Sequence, residues 1–236
     1  MKILFGSFIV ILALVLSAGD MKKPRILIIG DSISLGYTPY VKEYFKDKAI
    51  VVHNPGNAGH TGMGLENIRK WVGDEDWDMI QFNWGLWDLC YRHPDSKLYG
   101  NRDKVNGKIT YTIDEYRANL DSIVTILKSL TDAELIFVST TYVPVEEGGR
   151  YKNDAQRYNR AAKEVMKKHG VEVNDIFKES RAIHKKYGVG SDDVHYTDQG
   201  NEQLSRCIID YLNIAVQNID YSELKEMLVL KGQIIK

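Results

Sequence analysis

The stretch Ile26-Leu27-Ile28-Ile29-Gly30-Asp31-Ser32 joins a continuous apolar run to a glycine and two polar residues. An unbroken apolar run of this length is typical of a strand that is buried on both faces of a parallel sheet. Comparable runs follow along the chain, the last of them shorter and more polar: Ile50-Val51-Val52, Met79-Ile80-Gln81-Phe82, Leu135-Ile136-Phe137-Val138 and Val171-Glu172-Val173. The sequence therefore predicts a sheet of about five strands, with the last run at an edge.

Helical patterns separate the predicted strands. Thr112 and Glu115 form a capping-box pair at the start of one helix. Apolar stripes with helical spacing cover three segments, residues 116–130, 158–166 and 204–215. Strands that alternate with helices imply right-handed crossovers and a parallel sheet. We therefore expect an α/β fold of three layers, α/β/α, with the sheet in the middle.

Composition excludes several classes of protein. Of the 236 residues, 44% are hydrophobic and 27% are charged, which is the balance of a globular chain and not of a disordered or multi-span membrane protein. Lys and Arg number 31 and Asp and Glu number 32, so the net charge is -1, without the basic excess of a nucleic-acid binder. The two cysteines exclude a disulfide-dense scaffold and a four-cysteine zinc site, while a bond between Cys90 and Cys207 stays open.

The first segment has the pattern of a secretory signal peptide. Residues 1–19 combine a basic residue near the start, an apolar run from Ile3 to Leu16 and the small residues Ser17-Ala18-Gly19. The run is shorter than the roughly 20 residues of a membrane span. We therefore expect a periplasmic or secreted protein, with residues 20–236 as one domain and no membrane span in the mature chain. The alternatives are an uncleaved anchor, or a cytoplasmic protein whose translation starts at Met21.

Polar residues that follow the strands form the candidate site, because ligands bind beyond the carboxyl ends of the strands in an open parallel sheet. Ser32 follows the first strand, and His195 lies before the last helical stripe with Asp192 three residues ahead of it. A serine hydroxyl needs an adjacent base to act as a nucleophile, and an imidazole supplies that base. We therefore expect Ser32, His195 and Asp192 to form an acyl-transfer triad in which Asp192 fixes the tautomer of His195.

Other residues at this edge are candidates for binding an oxyanion or a substrate. The backbone N–H groups of Ser32 and Gly59 are expected to donate to an oxyanion. The side chains expected to contact a substrate are those of Asp31, Asn57, Asn83, Trp84 and Tyr91. Each feature alone also has a structural explanation, because a serine after a strand caps a helix and glycines mark turns. We expect no metal, since the histidines and cysteines lack ligand spacing, although Asp192, Asp193 and His195 are in principle able to bind one. We expect no cofactor, since the glycine spacing around Gly30 and Gly36 fits neither a dinucleotide fingerprint nor a phosphate loop.

Three blocks of the sequence resemble the GDSL/SGNH hydrolases. The blocks are Ile29-Gly30-Asp31-Ser32-Ile33-Ser34-Leu35-Gly36-Tyr37, Asn57-Ala58-Gly59-His60-Thr61 and Asp192-Asp193-Val194-His195-Tyr196-Thr197. Their order and spacing match over almost the whole chain after the N-terminal segment. The resemblance implies a flavodoxin-like sheet (the SGNH hydrolase fold), a catalytic domain over residues 20–236 and the hydrolysis of an ester.

One further block departs from the family pattern Gly-x-Asn-Asp, because it reads Gly85-Leu86-Trp87-Asp88. Trp87 stands where the family has an asparagine as its third oxyanion donor, and an indole offers one N–H donor and no acceptor. Trp87 is the expected donor if its ring turns inward. The alternatives are that Asn83 or Asn57 takes this role, or that the donor is missing.

The resemblance also implies a class of substrate. Many relatives act on acylated carbohydrates, so the first expectation is a secreted serine esterase whose substrate is a small-molecule or oligosaccharide ester. A lysophospholipase or thioesterase is the alternative among enzymes, and a non-catalytic carbohydrate-binding protein on a hydrolase scaffold is the alternative outside them. The segments 90–111, a long polar loop, and 141–150 are expected to rim the pocket. Oligomeric state does not follow from the sequence.

Overall fold

A parallel sheet forms the centre of this computed structural model, which describes residues 22–230, with side chains to residue 219. The strands in chain order are β1 (Arg25–Ile29), β2 (Ile50–His53), β3 (Met79–Phe82), β4 (Tyr91–Arg92), β5 (Lys108–Ile109), β6 (Glu134–Val138) and β7 (Glu172–Asn174). Five of them form the parallel sheet in the order β2-β1-β3-β6-β7. This is the flavodoxin-like order, and the predicted three-layer fold is confirmed.

Helices form the two outer layers of the fold. In chain order they are α1 (Ser32–Phe45), α2 (Thr61–Val72), α3 (Ile113–Leu130), α4 (Asp154–His169), α5 (Phe177–Tyr187) and α6 (Asp198–Leu230). Helix α6 packs against α1 and α5, and helix α3 packs against α2 and α4. None of the helices within residues 22–230 combines the length and the apolar composition that a bilayer crossing requires.

Local sequence signals account for where these elements begin and end. The side chain of Thr112 accepts from the Glu115 N–H and the Glu115 side chain accepts from the Thr112 N–H, so the predicted capping box starts α3. Gly170 follows α4 in the left-handed conformation, with φ 64°, as expected for a glycine at this position. In the central strand β1, the side chains from Ile26 to Ile29 are buried, because helices cover both faces of the sheet.

The stretch from Cys90 to Tyr111 differs from the long loop that the sequence predicts. Strands β4 and β5 pair antiparallel there, with Tyr91 opposite Ile109 and Arg92 opposite Lys108. Two-residue strands leave no recognisable alternation in the sequence, and therefore composition alone predicts a loop. Cys90 and Cys207 are both free thiols, the first buried and the second partly buried.

The segment predicted to be a signal peptide, residues 1–19, lies outside the described residues. Since the described residues begin at residue 22, the structure does not test the signal peptide, and export stays a prediction.

Candidate active site

Ser32 lies at the junction between β1 and α1, at the carboxyl end of the sheet. Asp31 caps the helix, because its side chain accepts a hydrogen bond from the Ile33 N–H at 3.0 Å. The Gly30 N–H donates to Oδ1 of Asn54 at 2.9 Å, and the Gly30 carbonyl accepts from the Ala58 N–H at 2.9 Å. These bonds hold the serine turn against the segment that follows β2.

His195 contacts the serine directly. The Oγ atom of Ser32 lies 2.9 Å from Nε2 of His195, although 163 residues separate the two along the chain. The other ring nitrogen, Nδ1, lies 2.5 Å from Oδ1 of Asp193. A serine hydroxyl is thus linked through an imidazole to a carboxylate, which is the arrangement that can pass a proton from the hydroxyl to the ring and hold the resulting imidazolium.

The carboxylate at His195 is therefore that of Asp193 and not the predicted Asp192. Asp192 is exposed, and no hydrogen bond joins it to the imidazole in the structure. Asp193 reaches the ring because its Oδ1 also accepts from the His195 N–H at 2.9 Å, which closes a tight turn from residue i to residue i+2. Although partial burial acts to raise it, these hydrogen bonds from His195 lower the pKa of Asp193, so the carboxylate stays ionised.

Two buried residues anchor the loop that carries Asp193 and His195. Nε2 of His184 lies 2.7 Å from the Asp193 carbonyl oxygen, and the Tyr196 hydroxyl donates to the Ser180 carbonyl at 3.3 Å. The rings of His184 and Tyr196 also pack edge to face, with centroids 5.3 Å apart. The loop is thus fixed by contacts with α5, which the sequence analysis did not identify.

Of the three predicted oxyanion donors, Ser32 and Trp87 lie at the cleft, whereas the Gly59 N–H already has an acceptor. As the first residue of α1, Ser32 has a backbone N–H without an acceptor in its own helix. Trp87 lines the same cleft as Ser32 and His195. The Gly59 N–H, in contrast, already donates to Oδ1 of Asn57 at 2.8 Å. This bond uses the Oδ1 atom of Asn57, a residue that also lines the cleft.

The residues predicted to bind substrate are divided between the cleft and the interior. Asp31 and Asn57 line the cleft with Ser32. Trp84 does not, because its side chain is fully buried in the core and its Nε1 donates to the Ala58 carbonyl at 3.3 Å. Asn83 donates to the Val138 carbonyl at 2.7 Å. Tyr91 packs edge to face on Tyr151 in the short antiparallel ladder.

Trp84 is thus a core residue, which corrects its predicted role as a substrate contact. The chain turns it inward after β3, where Gly85 has φ 153° and packs so closely on Thr140 that a Cβ would collide with Oγ1. The Trp84 carbonyl then accepts hydrogen bonds from Tyr116 and Thr140, at 2.8 and 3.1 Å. Asn83 and Tyr91 are likewise absent from the residues that line the cleft.

Asp88 holds the loop after β3 against the start of α2. Its Oδ1 accepts from both the N–H and the hydroxyl of Thr61, at 3.0 and 2.5 Å. Its Oδ2 is buried without a partner among the described residues. Burial raises the pKa of Asp88 to about 7, against the effect of the two Thr61 bonds. Asp88 therefore fixes the loop, and its side chain is too deep to meet a substrate.

The cleft beside Ser32 has a volume of about 340 Å³. Residues of both segments that were expected to rim the pocket line it: Arg92, Tyr99, Gly100 and Arg102 from the first, and Arg150 from the second. The sequence analysis did not single out these arginines. Among the described residues, no group of three or more His, Cys, Asp or Glu side chains is arranged to hold a metal ion.

The fold, the geometry of the site and a family match together identify a hydrolase that acts on ester bonds. A family model described as GDSL-like lipase/acylhydrolase matches residues 26–208. The chain therefore belongs to the GDSL-like lipase/acylhydrolase family, as the sequence blocks predict. No curated protein matches the sequence.

Solved structures of esterases share the fold at low sequence identity. An acetyl xylan esterase, AlAXEase, is 14% identical, with a TM-score of 0.63 over 79% of this chain and 98% of its own. A lipase/acylhydrolase from Enterococcus faecalis is 20% identical, with a TM-score of 0.62 over 80% of this chain and 95% of its own. The acetylxylan esterase Axe2 from Geobacillus stearothermophilus is 20% identical, with a TM-score of 0.63 over 79% of this chain and 93% of its own.

Proposed function

We propose that this protein is a secreted serine esterase that removes acyl groups from carbohydrates. The observation that carries the proposal is the chain of contacts from Ser32 Oγ to His195 Nε2, and from His195 Nδ1 to Asp193 Oδ1. Family membership sets the reaction class as ester hydrolysis. The alternative of a non-catalytic binding protein has no support, because a binding module needs no such relay.

The geometry supports a two-step reaction. Ser32 Oγ attacks the ester carbonyl while His195 Nε2 takes its proton, and Asp193 stabilises the imidazolium that forms. The tetrahedral intermediate collapses when His195 returns the proton to the leaving alcohol, which leaves an acyl group on Ser32. Water then attacks the acyl group with His195 again as the base, and the acid is released as Ser32 regains its proton.

The oxyanion is proposed to lie between the Ser32 N–H and the side chain of Asn57. The Gly59 N–H fixes Asn57 by binding its oxygen at 2.8 Å, so the amide nitrogen Nδ2 is the end left for the cleft. Among the two asparagines that the sequence left as alternatives to Trp87, Asn57 is favoured, because Asn83 donates to the Val138 carbonyl instead. Trp87 remains an additional candidate donor.

Two features support a carbohydrate ester as the substrate. Similar solved structures include enzymes described as acetylxylan esterases, and replacements in Axe2 of a serine and of an aspartate by alanine are described as catalytic mutants. The cleft also carries polar and charged side chains, including Asn57 and three arginines. A lysophospholipase needs a more continuous apolar wall for its acyl chain.

A panel of esters with matched serine variants tests the proposal. Wild-type protein and Ser122→Ala, a change on the exposed face of α3, should hydrolyse acetylated methyl glycosides and short-chain nitrophenyl esters. Ser32→Ala should be inactive and should lose labelling by a fluorophosphonate, with an unchanged circular dichroism spectrum. Equal labelling of Ser32→Ala would contradict the assigned nucleophile. A strong preference for long acyl chains would indicate that the substrate is a lipid and not a carbohydrate ester.

Export is tested separately by determining the N-terminal residue of the mature protein. The small residues Ser17-Ala18-Gly19 after the apolar run support cleavage near residue 20. Protein recovered from outside the cytoplasm should therefore begin close to Asp20. A chain that retains the apolar run, or that begins at Met21 inside the cell, would contradict secretion by cleavage.

A further inference from the structure

The wall of the cleft beside Ser32 carries three arginines, Arg92, Arg102 and Arg150. Arg92 and Arg102 come from the segment between β3 and α3, and Arg150 comes from the segment after β6. The chemistry of ester hydrolysis described above uses none of them. Three guanidinium groups in a cleft of about 340 Å³ therefore need an explanation beyond the reaction itself.

Two of the arginines are built onto one buried carboxylate. Oε1 of Glu147 accepts from Nη1 of Arg150 at 2.9 Å and from Nη1 of Arg102 at 2.6 Å. The Glu147 side chain is fully buried, and its second oxygen accepts from the Gly149 N–H at 2.8 Å. Nε of Arg150 donates to the Leu86 carbonyl at 2.6 Å. The single negative charge of Glu147 thus pairs with the positive charges of both Arg102 and Arg150, and these hydrogen bonds hold both guanidinium groups in place.

Arg92 has no carboxylate partner within residues 22–219. Its guanidinium lies 4.9 Å from the centre of the Trp87 ring and donates to the Gly100 carbonyl. Burial first, and then the positive charge of Arg92, lower the pKa of the neighbouring His60. Arg92 therefore brings to this wall of the cleft a positive charge that no carboxylate among the described residues bonds.

The other acidic groups in the cleft, Asp31 and Asp193, form no salt bridge with the three arginines among the described residues. Asp193 is hydrogen-bonded to His195. Burial raises the pKa of Asp31, and the charge of Arg150 acts to lower it. Among the described residues, Glu147 is the one carboxylate that forms salt bridges with these arginines, and it bonds Arg102 and Arg150 but not Arg92. An anion that entered the cleft would find preorganised donors, and a guanidinium group binds carboxylate and phosphate oxygens through paired N–H groups.

We propose that Arg92, Arg102 and Arg150 form a binding site for an anionic group of the substrate, a carboxylate or a phosphate carried close to the scissile ester. The inference rests on the proposed function and narrows it to acylated acidic sugars or sugar phosphates. A cleft of this volume is at the small end of ligand pockets, so the ester and the anion belong to one compact unit such as a single sugar residue.

Kinetics with matched esters test this proposal. The substrates are an acetylated methyl hexuronoside with a free carboxylate, its methyl ester, the corresponding neutral hexoside and the corresponding hexose phosphate. Wild-type protein should hydrolyse at least one anionic substrate with kcat/KM about 10-fold or more above the methyl ester, because hydrogen bonds to charged groups are the stronger class. The carboxylate and phosphate arms identify which anion the site takes.

Arginine variants separate this site from general effects on the enzyme. Arg92→Gln should reduce the preference for the anionic substrate at least several-fold through KM, while it changes the neutral substrate much less. Arg92→Lys should retain part of the preference, since it keeps the charge and loses the paired donors. Arg160→Gln, on the exposed face of α4, should leave every substrate unchanged. Equal losses for charged and neutral esters in Arg92→Gln would overturn the proposal.

Binding to Ser32→Ala distinguishes failure of this proposal from failure of the proposed function. Calorimetry should show tighter binding of the anionic ester than of its methyl ester even though no hydrolysis occurs. Equal turnover of acid and methyl ester by wild-type protein would refute the anion site and leave the esterase intact. Tighter anion binding by a protein that hydrolyses none of the esters would support the site and refute the esterase.

Discussion

At the scale of single residues, two neighbouring aspartates show how a backbone turn selects a partner for His195. Asp193 Oδ1 accepts from the His195 N–H at 2.9 Å and lies 2.5 Å from the ring nitrogen Nδ1. The bond to the His195 N–H fixes the Asp193 side chain at the start of a turn. The contact with Nδ1 follows, because the imidazole belongs to the same histidine. Asp192 points its carboxylate toward Gly190, where a Cβ would lie 2.8 Å from Oδ1.

Replacement of each aspartate by asparagine should therefore have different effects. Asp193→Asn removes the charge that holds the imidazolium and its tautomer, and a loss of about 10⁴-fold in kcat is typical of this change in a triad. Asp192→Asn, its matched control, should keep kcat within about 3-fold of wild type, as expected for an exposed side chain outside the relay. Steady-state kinetics on a short-chain nitrophenyl ester provide the measurement. The reverse ranking would restore Asp192 as the orienting residue.

Asn57 gives a second prediction at this scale. Asn57→Ala removes the proposed oxyanion donor, and kcat should fall by about 10²–10³-fold with little change in KM. Asn83→Ala should instead lower the melting temperature and leave kcat nearly unchanged, because Asn83 donates to the Val138 carbonyl inside the fold. Kinetics and thermal melts of the two variants compare them. An unchanged kcat in Asn57→Ala would assign the oxyanion to other donors.

At the scale of elements, the strands were predictable and the loops were less so. The apolar run Ile26–Ile29 becomes the buried part of β1, and the run Leu135–Val138 becomes most of β6, because a continuous apolar run is a local signal. The burial of Trp84 and the arrival of Arg150 in the cleft depend on contacts between distant segments. No local pattern shows which of several aromatic or basic residues in a loop turns inward, so the sequence predicted the position of the cleft better than its lining.

The proposed triad of Ser32, His195 and Asp193 illustrates the same limit. The positions of Ser32 and His195 follow from motifs at the ends of elements, and the structure brings them to 2.9 Å. The choice between Asp192 and Asp193 depends on a turn whose geometry is set by His184 and Tyr196 below it. A spacing of three residues and a spacing of two residues both permit contact with an imidazole. The sequence pattern alone therefore could not separate them.

The link between the β3 loop and α2 gives a prediction about stability. Asp88 has a pKa of about 7 in the folded protein and about 3.9 in an unfolded chain. Between these values the unfolded chain releases a proton that the folded protein keeps, so ionisable Asp88 lowers the free energy of unfolding as pH rises toward about 7. The full effect is at most about 4 kcal/mol.

Asp88→Asn should remove this dependence, because the amide stays neutral and still accepts from Thr61. Urea unfolding from about pH 5 to about pH 8 should show the variant gaining stability relative to wild type as pH rises. For Asp74→Asn, in the exposed turn after α2, the free energy of unfolding should vary with pH in parallel with that of wild type. Parallel curves for Asp88→Asn as well would show that Asp88 does not titrate in this range in the folded protein.

At the scale of the whole molecule, charge is distributed unevenly although it nearly cancels. The net charge is -1, yet three arginines line the cleft beside Ser32. A nearly neutral protein exerts little long-range attraction on a charged ligand, so any steering of an anion must come from the cleft itself. Buried Glu147 explains how the arginines are tolerated together, since it bonds two of them.

This local field predicts a salt dependence that differs between substrates. When ionic strength rises from about 0.01 M to about 0.1 M, the screening length falls from about 30 Å to about 10 Å, which weakens attraction at the mouth of the cleft. The kcat/KM for an anionic acetylated sugar should therefore fall several-fold, whereas that for its neutral methyl ester should change little. Arg92→Gln should flatten the response to the anionic substrate, since Arg92 lacks a bonded carboxylate among the described residues. Identical salt curves for the two esters would mean that the arginines act on the fold and not on the approach of the substrate.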